Sequence, residues 1–137
     1  MFMSTIYRPI VIISAERYNL TKAENQDRTA KLRSTLNDLG LSYIEGTGCY
    51  QGTEEVSFIV AVPPGTDHLS KCIDLRDMFN QECILYRDHY NDTHLIYADR
   101  TEKIGRLVAT PEADAKKAIA WTYNPAVDCY FTVVSAK

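Results

Sequence analysis

The chain has 137 residues, a net charge of −3 and a composition that is 45% hydrophobic and 24% charged. This length predicts a single domain, residues 1–137, with one hydrophobic core. The acidic balance argues against a protein that binds nucleic acid without sequence preference, which needs a dense basic surface. No apolar run approaches the roughly 20 residues of a membrane span.

The four cysteines are widely spaced and form no C-x-x-C pair, so neither a zinc ribbon nor a thioredoxin-type redox motif is predicted. The first five residues do not resemble a signal peptide, because they lack a basic segment followed by an apolar one. Together these features predict a cytoplasmic protein with reduced thiols.

The first half of the chain alternates between strand and helix patterns. A β-branched, almost fully apolar run predicts a central strand. Ala30, Leu32, Leu36 and Leu39 recur roughly every three to four residues and predict a helix, which Gly40 ends. A polar, glycine-rich stretch that predicts a loop or hairpin turn separates the next two strands. The segments are a strand at residues 9–15, a helix at 25–39, a strand at 41–46, the turn at 47–55 and a strand at 56–62.

The second half begins with another helix, capped by Thr66 or Asp67 and extending to about Asn80. Two strands joined by a polar turn predict a hairpin. A short strand, a helix that starts with Pro111 and a last strand complete the chain. These segments are strands at residues 83–87 and 94–98, a strand at 104–108, a helix at 111–121 and a strand at 128–134.

The order β-α-β-β-α-β-β predicts an α+β, ferredoxin-like fold, a mostly antiparallel sheet with two helices packed on one face. Residues 10–99 form this core, and residues 100–137 form a C-terminal extension with a last strand. The face of the sheet without helices needs a cover, which small domains of this kind often obtain by oligomerising.

The stretch at residues 47–55 holds the most promising functional residues. Glycines there, such as Gly48, let the backbone approach a ligand closely, and Tyr50 offers a phenol that both donates and accepts hydrogen bonds. Glu54 and Glu55 begin a strand, so their side chains point to opposite faces and only one of them can face a given pocket. The alternative is an ordinary glycine-rich turn followed by solvated glutamates.

A second group of polar residues follows the first strand. Ser14, Ala15 and Asn19 lie where that strand ends, and Asn25 and Arg28 open the first helix. Ligand crevices often form at such strand ends. The alternatives are that Asn25 is a helix N-cap and Arg28 a partner in a surface ion pair. The three histidines have no third ligand at a convincing spacing, so no metal site is predicted.

These residues resemble a known family, the small phage-encoded enzymes that degrade S-adenosylmethionine (SAM), called SAM hydrolases or SAM lyases. The resemblance consists of blocks in the same order along the chain, which together cover most of residues 10–99. The blocks are Val11-Ile12-Ile13-Ser14-Ala15-Glu16-Arg17-Tyr18-Asn19-Leu20, then Asn25, Arg28 and Ser34-Thr35-Leu36, then Thr47-Gly48-Cys49-Tyr50 and Thr53-Glu54-Glu55, and finally Gln81-Glu82-Cys83-Ile84-Leu85-Tyr86 with Thr93-His94 and Leu95-Ile96-Tyr97-Ala98.

The resemblance implies a homotrimer with sites between subunits and a reaction that needs no metal or cofactor. SAM would give methylthioadenosine and homoserine lactone, and loss of SAM would counter a host's restriction enzymes. Glu55, with Glu54 as the alternative, would anchor the ammonium group of SAM, and Tyr50 would orient its carboxylate. In a hydrolase the same glutamate would instead activate water. The implied substrate-binding residues are Ser14, Ala15, Asn19, Asn25, Arg28, Gly48, Cys49 and Glu54.

Two other functions are compatible with the same residues. A trimeric ferredoxin-like regulator could bind SAM or an adenine nucleotide without turning it over, because no conventional catalytic dyad is present. A protein that acts by contacting a host enzyme is the third hypothesis. Recovery of intact ligand would indicate the regulator, and a pull-down from host lysate would test the third.

Overall fold

The computed structural model describes residues 7–135, so the N-terminal residues from which the absence of a signal peptide was inferred lie outside it. Within this range the chain forms eight strands and three helices. Their bounds are β1 Ile10–Ile13, α1 Lys22–Asp38, β2 Tyr43–Tyr50, β3 Thr53–Ala61, α2 His68–Met78, β4 Cys83–Arg87, β5 Asp92–Tyr97, β6 Thr101–Thr110, α3 Glu112–Ala115, β7 Ala120–Asn124 and β8 Cys129–Val134.

The strands close into an antiparallel barrel in the order β1-β3-β2-β7-β8-β6-β5-β4, with β4 returning to β1. The predicted ferredoxin-like fold, an open sheet with two helices on one face and a C-terminal extension, is therefore wrong. The segment after Arg100 is part of the sheet. β6 pairs with both β5 and β8, and β7 pairs with both β2 and β8, so these strands join what would have been the two free edges.

The predicted order of elements from β1 to β5 is confirmed, and the bounds of β4 are those predicted. The predicted helix at 111–121 is wrong beyond Ala115, because residues from Ala120 onward form β7 and pair with β2. The glycine-rich stretch is also more regular than a loop. Its first residues belong to β2, and only Gln51 and Gly52 form the turn.

The main hydrophobic core lies between the helices and one side of three strands. Leu32 and Leu36 of α1 and Leu75 of α2 are buried against strand residues from β1, β3 and β4. The strand residues in this cluster are Val11, Ile13, Phe58, Val60 and Ile84. Because side chains alternate along a strand, the residues between them point to the opposite side, the helix-free face.

A second, smaller cluster forms around Trp121 of β7, which packs with Cys49 of β2 and Ala115 of α3. Tyr130 of β8 meets the Trp121 ring edge-on, with the ring centroids 5.3 Å apart. All four cysteines are free thiols. None of the helices in the described range is long and apolar enough to cross a membrane.

Candidate active site

The hairpin between β2 and β3 sets which side chains share a face. Tyr50 pairs with Thr53, and the two residues between them, Gln51 and Gly52, have φ angles of 51° and 83°. Positive φ at both positions is the mark of the tight turn that matches the twist of a two-stranded ribbon. This turn fixes the register that places Gly48 opposite Glu55.

Strand alternation then separates the two glutamates. Gly48, Tyr50 and Glu55 lie on the helix-free face, whereas Cys49 and Glu54 lie on the other side. Cys49 is buried in the Trp121 cluster, and Glu54 is exposed. The side chains of Cys49 and Glu54, both predicted to bind substrate, are therefore on the opposite side of the sheet from Glu55.

Gly48 is a glycine because its neighbours fill the place of a side chain. A Cβ atom there would overlap the Ser57 hydroxyl and would lie 3.8 Å from Cγ of Glu55. Ser57 is 3% exposed, so its hydroxyl has little room to move away. The missing side chain brings the β2 backbone directly against Ser57 and Glu55, which is what close approach of a ligand to the backbone requires.

Glu55 has the most perturbed acidity of this face. Burial, with a further contribution from the charge of Glu16, raises the pKa of the Glu55 carboxyl to about 7. The Ser14 hydroxyl, which hydrogen-bonds to the ionised carboxylate, acts in the opposite direction. A carboxyl group balanced in this way is half-ionised near neutral pH and is sensitive to any charge that a ligand brings.

The residues after β1 complete the wall beside Glu55. Ser14 is 6% exposed, and its hydroxyl accepts a hydrogen bond of 3.1 Å from the backbone N–H of Glu16. The carboxylate of Glu16 accepts one of 2.6 Å from the backbone N–H of Val56. The sequence placed Glu16 in the polar group after the first strand but gave it no role in the site. Ser57 was missed, although the alternation that places it on the face of Glu55 could have identified it.

Asn25 and Arg28 hold this segment in place. The Asn25 side chain accepts from the backbone N–H of Arg17 at 2.9 Å and donates to the Arg17 carbonyl at 3.0 Å. Arg28 donates to the carbonyl of Ala15 at 2.7 Å and also to that of Phe79. Asn25 is not the N-cap of α1, because Thr21 occupies that position. Arg28 is not a partner in a surface ion pair, because its guanidinium donates to backbone carbonyls. Both alternative predictions are therefore wrong.

The remaining predicted residues differ in exposure. Ala15 is fully buried, so its side chain is enclosed by the protein, and Asn19 is exposed on the segment that Asn25 holds. Tyr50 is 62% exposed at the end of β2, on the same face as Glu55. The structure therefore brings Ser14, Gly48 and Glu55 together, with Tyr50 at the open rim.

A cleft of about 400 Å³ adjoins this site on the other side of Glu16. Its walls are the first three turns of α1, the side chain of Glu16 and Val56 at the start of β3; the α1 residues are Lys22, Asn25, Gln26, Thr29 and Arg33. Among residues 7–135, no group of three or more His, Cys, Asp or Glu side chains is placed to hold a metal ion.

Comparison with known families gives one clear result. The chain matches the family model described as the S-Adenosylmethionine lyase family over residues 11–134. The match runs from β1 to β8 and so includes the C-terminal strands that close the barrel. A search of curated proteins finds no match.

Proposed function

This chain belongs to the S-adenosylmethionine lyase family and is a SAM lyase, and from this premise we propose that it cleaves SAM to 5′-methylthioadenosine and L-homoserine lactone. The observation that carries the proposal is Glu55, a carboxyl group with a pKa of about 7 beside two buried serine hydroxyls and the bare backbone of Gly48. A site of this kind suits a cationic substrate with a flexible tail.

The reaction needs little chemistry from the protein. An oxygen of the SAM carboxylate attacks the γ-carbon, a C–O bond forms, the C–S bond breaks, and sulfur keeps the electron pair as a neutral thioether. No proton, water molecule or electron enters or leaves. Catalysis then consists of folding the methionine tail so that the two reacting atoms meet, an effect worth up to about 7–11 kcal/mol.

Glu55 is proposed to bind the α-ammonium group of the substrate. An ammonium ion beside the carboxylate favours its ionised form, so binding overcomes the burial that raises the Glu55 pKa in the empty site. Fixing the ammonium group at this point leaves the attached carboxylate free to turn toward the γ-carbon. The hydroxyls of Ser14 and Ser57 are positioned to complete this end of the pocket.

Tyr50 is proposed to orient the substrate carboxylate through its phenol. Its exposure, 62%, leaves this side of the site open in a single chain. A substrate with both a nucleoside and an amino-acid tail needs more enclosure than one hairpin supplies, which favours a site shared between subunits, and we propose that the assembly is a homotrimer. Light scattering of the purified protein, with and without SAM, measures the oligomeric state.

We further propose an anti-restriction role, in which a phage-encoded enzyme depletes the SAM of its host. A reducing cytoplasm suits this role and the four free cysteines. Expression in a strain that carries a SAM-dependent restriction system tests it. An active enzyme should raise the plating efficiency of unmodified phage, and a Glu55→Gln variant should not.

Incubation of the purified protein with SAM tests the reaction itself. Methylthioadenosine and homoserine lactone should appear in equal amounts. Reaction in ¹⁸O-labelled water separates a lyase from a hydrolase, because the lactone should be unlabelled if it is analysed before it opens. Recovery of intact SAM after prolonged incubation contradicts the proposal, and direct formation of labelled homoserine indicates hydrolysis.

A further inference from the structure

Glu16 occupies a place that β1 leaves vacant beside β3. β1 ends at Ile13, opposite Phe58, so the part of β3 before Phe58 extends past its neighbour. The register would place Ala15 opposite Val56 if the strand continued. The Ala15 carbonyl instead accepts from Arg28, and the Glu16 carboxylate accepts the hydrogen bond of the Val56 N–H at 2.6 Å.

Several contacts fix the Glu16 backbone, so its carboxylate is held firmly. Its N–H donates to the Ser14 hydroxyl at 3.1 Å, and its carbonyl accepts from the side chain of Gln81 at 3.2 Å. The Ser14 hydroxyl is also close enough to Glu55 to act on the pKa of its carboxyl group, which it lowers. Ser14 and the Val56 peptide group, which directly follows Glu55, therefore both connect the two glutamates.

Within the described range, neither Glu16 nor Glu55 forms an ion pair. Lys22 and Arg33 of α1 line the cleft on the far side of Glu16, but Arg33 is engaged by Glu45 through two hydrogen bonds of 2.8 and 3.1 Å. From β2 (Tyr43–Tyr50), the residues on the helix-free face are Ile44, Gly46, Gly48 and Tyr50, none of which carries a positive charge.

We propose that Glu16 is a positioning residue that acts through Glu55, and that the two form a pair of carboxylates whose charge is balanced by a substrate with two positive centres. This inference rests on the proposed function. SAM carries an ammonium and a sulfonium group, whereas its product methylthioadenosine carries neither. A fixed negative charge beside Glu55 therefore binds SAM more tightly than methylthioadenosine and favours release of that product.

The pair of carboxyl groups predicts how kcat/KM depends on pH. The charge of Glu16 adds to burial in keeping Glu55 protonated in the empty site. If Glu55 must be ionised to bind the ammonium group, kcat/KM should fall as the pH drops through about 7. Removal of the Glu16 charge should move this midpoint to lower pH.

The Glu16→Gln variant tests the inference, because the amide oxygen can still accept the Val56 hydrogen bond while the charge is lost. The binding preference for SAM over S-adenosylhomocysteine, measured as the ratio of their dissociation constants, should fall by about fivefold, because S-adenosylhomocysteine lacks the sulfonium charge. The acid midpoint of kcat/KM should also fall. Asp27→Asn is the matched control, since it removes the same charge from an exposed position on α1, and it should change neither quantity.

The titration of Glu55 can be followed without substrate by ¹³C NMR of its carboxyl carbon. A lower midpoint in Glu16→Gln supports the pair even if SAM is not turned over, so the inference and the proposed function can fail separately. An unchanged midpoint with unchanged selectivity overturns the inference and leaves Glu16 as a cap for the Val56 amide. If the variant does not fold, the titration curve of Glu55 in the wild-type protein tests the inference. Coupled carboxyl groups give a two-step curve, whereas uncoupled ones give a single step.

Discussion

At the scale of single residues, the two adjacent glutamates are expected to behave in opposite ways. Glu55→Gln should reduce SAM turnover by about a hundredfold to a thousandfold, the effect of losing one essential charge-stabilising group, because the neutral amide cannot balance the substrate ammonium. Glu54→Gln removes the same charge from the opposite side of β3 and should keep most of the activity. Steady-state kinetics of the two purified variants decide between them, and an inactive Glu54→Gln with an active Glu55→Gln contradicts the assignment.

Glu55 should also affect stability in a pH-dependent way. Its folded-state pKa of about 7 lies above the ordinary value of 4.5. Between these values the unfolded chain loses the proton that the folded chain keeps, so Glu55 lowers the free energy of unfolding as the pH rises through this window. The gain in the free energy of unfolding that Glu55→Gln causes should therefore be larger at pH 8 than at pH 5. The expected difference is about 1–2 kcal/mol, reduced from the full pKa shift because the carboxyl group is partly exposed.

Urea unfolding of wild type and Glu55→Gln at both pH values measures this difference. Glu54→Gln, which is exposed, should show no such dependence on pH. A stability difference between wild type and Glu55→Gln that is equal at pH 5 and pH 8 would show that the carboxyl group titrates normally in the folded protein.

Part of the site could be predicted from sequence because strand alternation acts over short distances. Glu54 and Glu55 had to face opposite sides once both lay in a strand, and the structure places them so. Glu16 could not be found in this way. Its role depends on β1 ending at Ile13 and on a hydrogen bond to a residue 40 positions away, and neither is encoded in the local pattern.

At the scale of elements, α1 and the segment after β1 form a unit. Asn25→Ala removes both hydrogen bonds that hold the backbone of Arg17, so residues 15–19 should become mobile beside Glu55. We expect kcat/KM to fall by about tenfold, because a misplaced wall of the site holds the substrate less well in the geometry needed for attack. The loss in unfolding free energy should be about 1–2 kcal/mol.

Asn37→Ala is the matched control, since it removes one side-chain hydrogen bond, to Tyr43, from the other end of the same helix. It should leave kcat/KM within about twofold of wild type, as exposed polar substitutions away from a site usually do. Equal losses of activity in the two variants would show that Asn25 supports the helix in general and does not position the site.

The elements that sequence predicted poorly are those that depend on distant partners. β4 was predicted with the correct bounds because its pattern is local and its turn is polar. Ala120 and Trp121 were assigned to the end of a helix and residues 122–124 to no element, although Trp121 and Tyr123 alternate with polar residues. Their strand conformation comes from pairing with Thr47–Tyr50 of β2 on one side and with β8 on the other.

At the scale of the whole molecule, the C-terminal strands turn an open sheet into a closed one. The β2–β7 seam depends on Gly46, which is a glycine because a Cβ atom there would overlap the carbonyl oxygen of Tyr123. The β6–β8 seam has the same device in Gly105, where a Cβ atom would overlap the carbonyl oxygen of Val134. Close backbone approach at both seams is therefore a condition for closure of the barrel. The pattern of apolar residues along the sequence could not predict it.

Gly46→Ala should open the β2–β7 seam and lower the free energy of unfolding by about 2–3 kcal/mol, because the backbone of β7 cannot shift as cheaply as a side chain. Gly40→Ala is the control. A Cβ atom at Gly40 meets nothing within 4 Å, and the cost there comes only from a φ of +71°, about 1 kcal/mol. Urea unfolding of both variants measures the difference, and amide hydrogen exchange should show faster exchange in β7 and β8 of Gly46→Ala alone. Equal destabilisation with unchanged exchange in these strands would mean that the seam is not a weak point of the closed barrel.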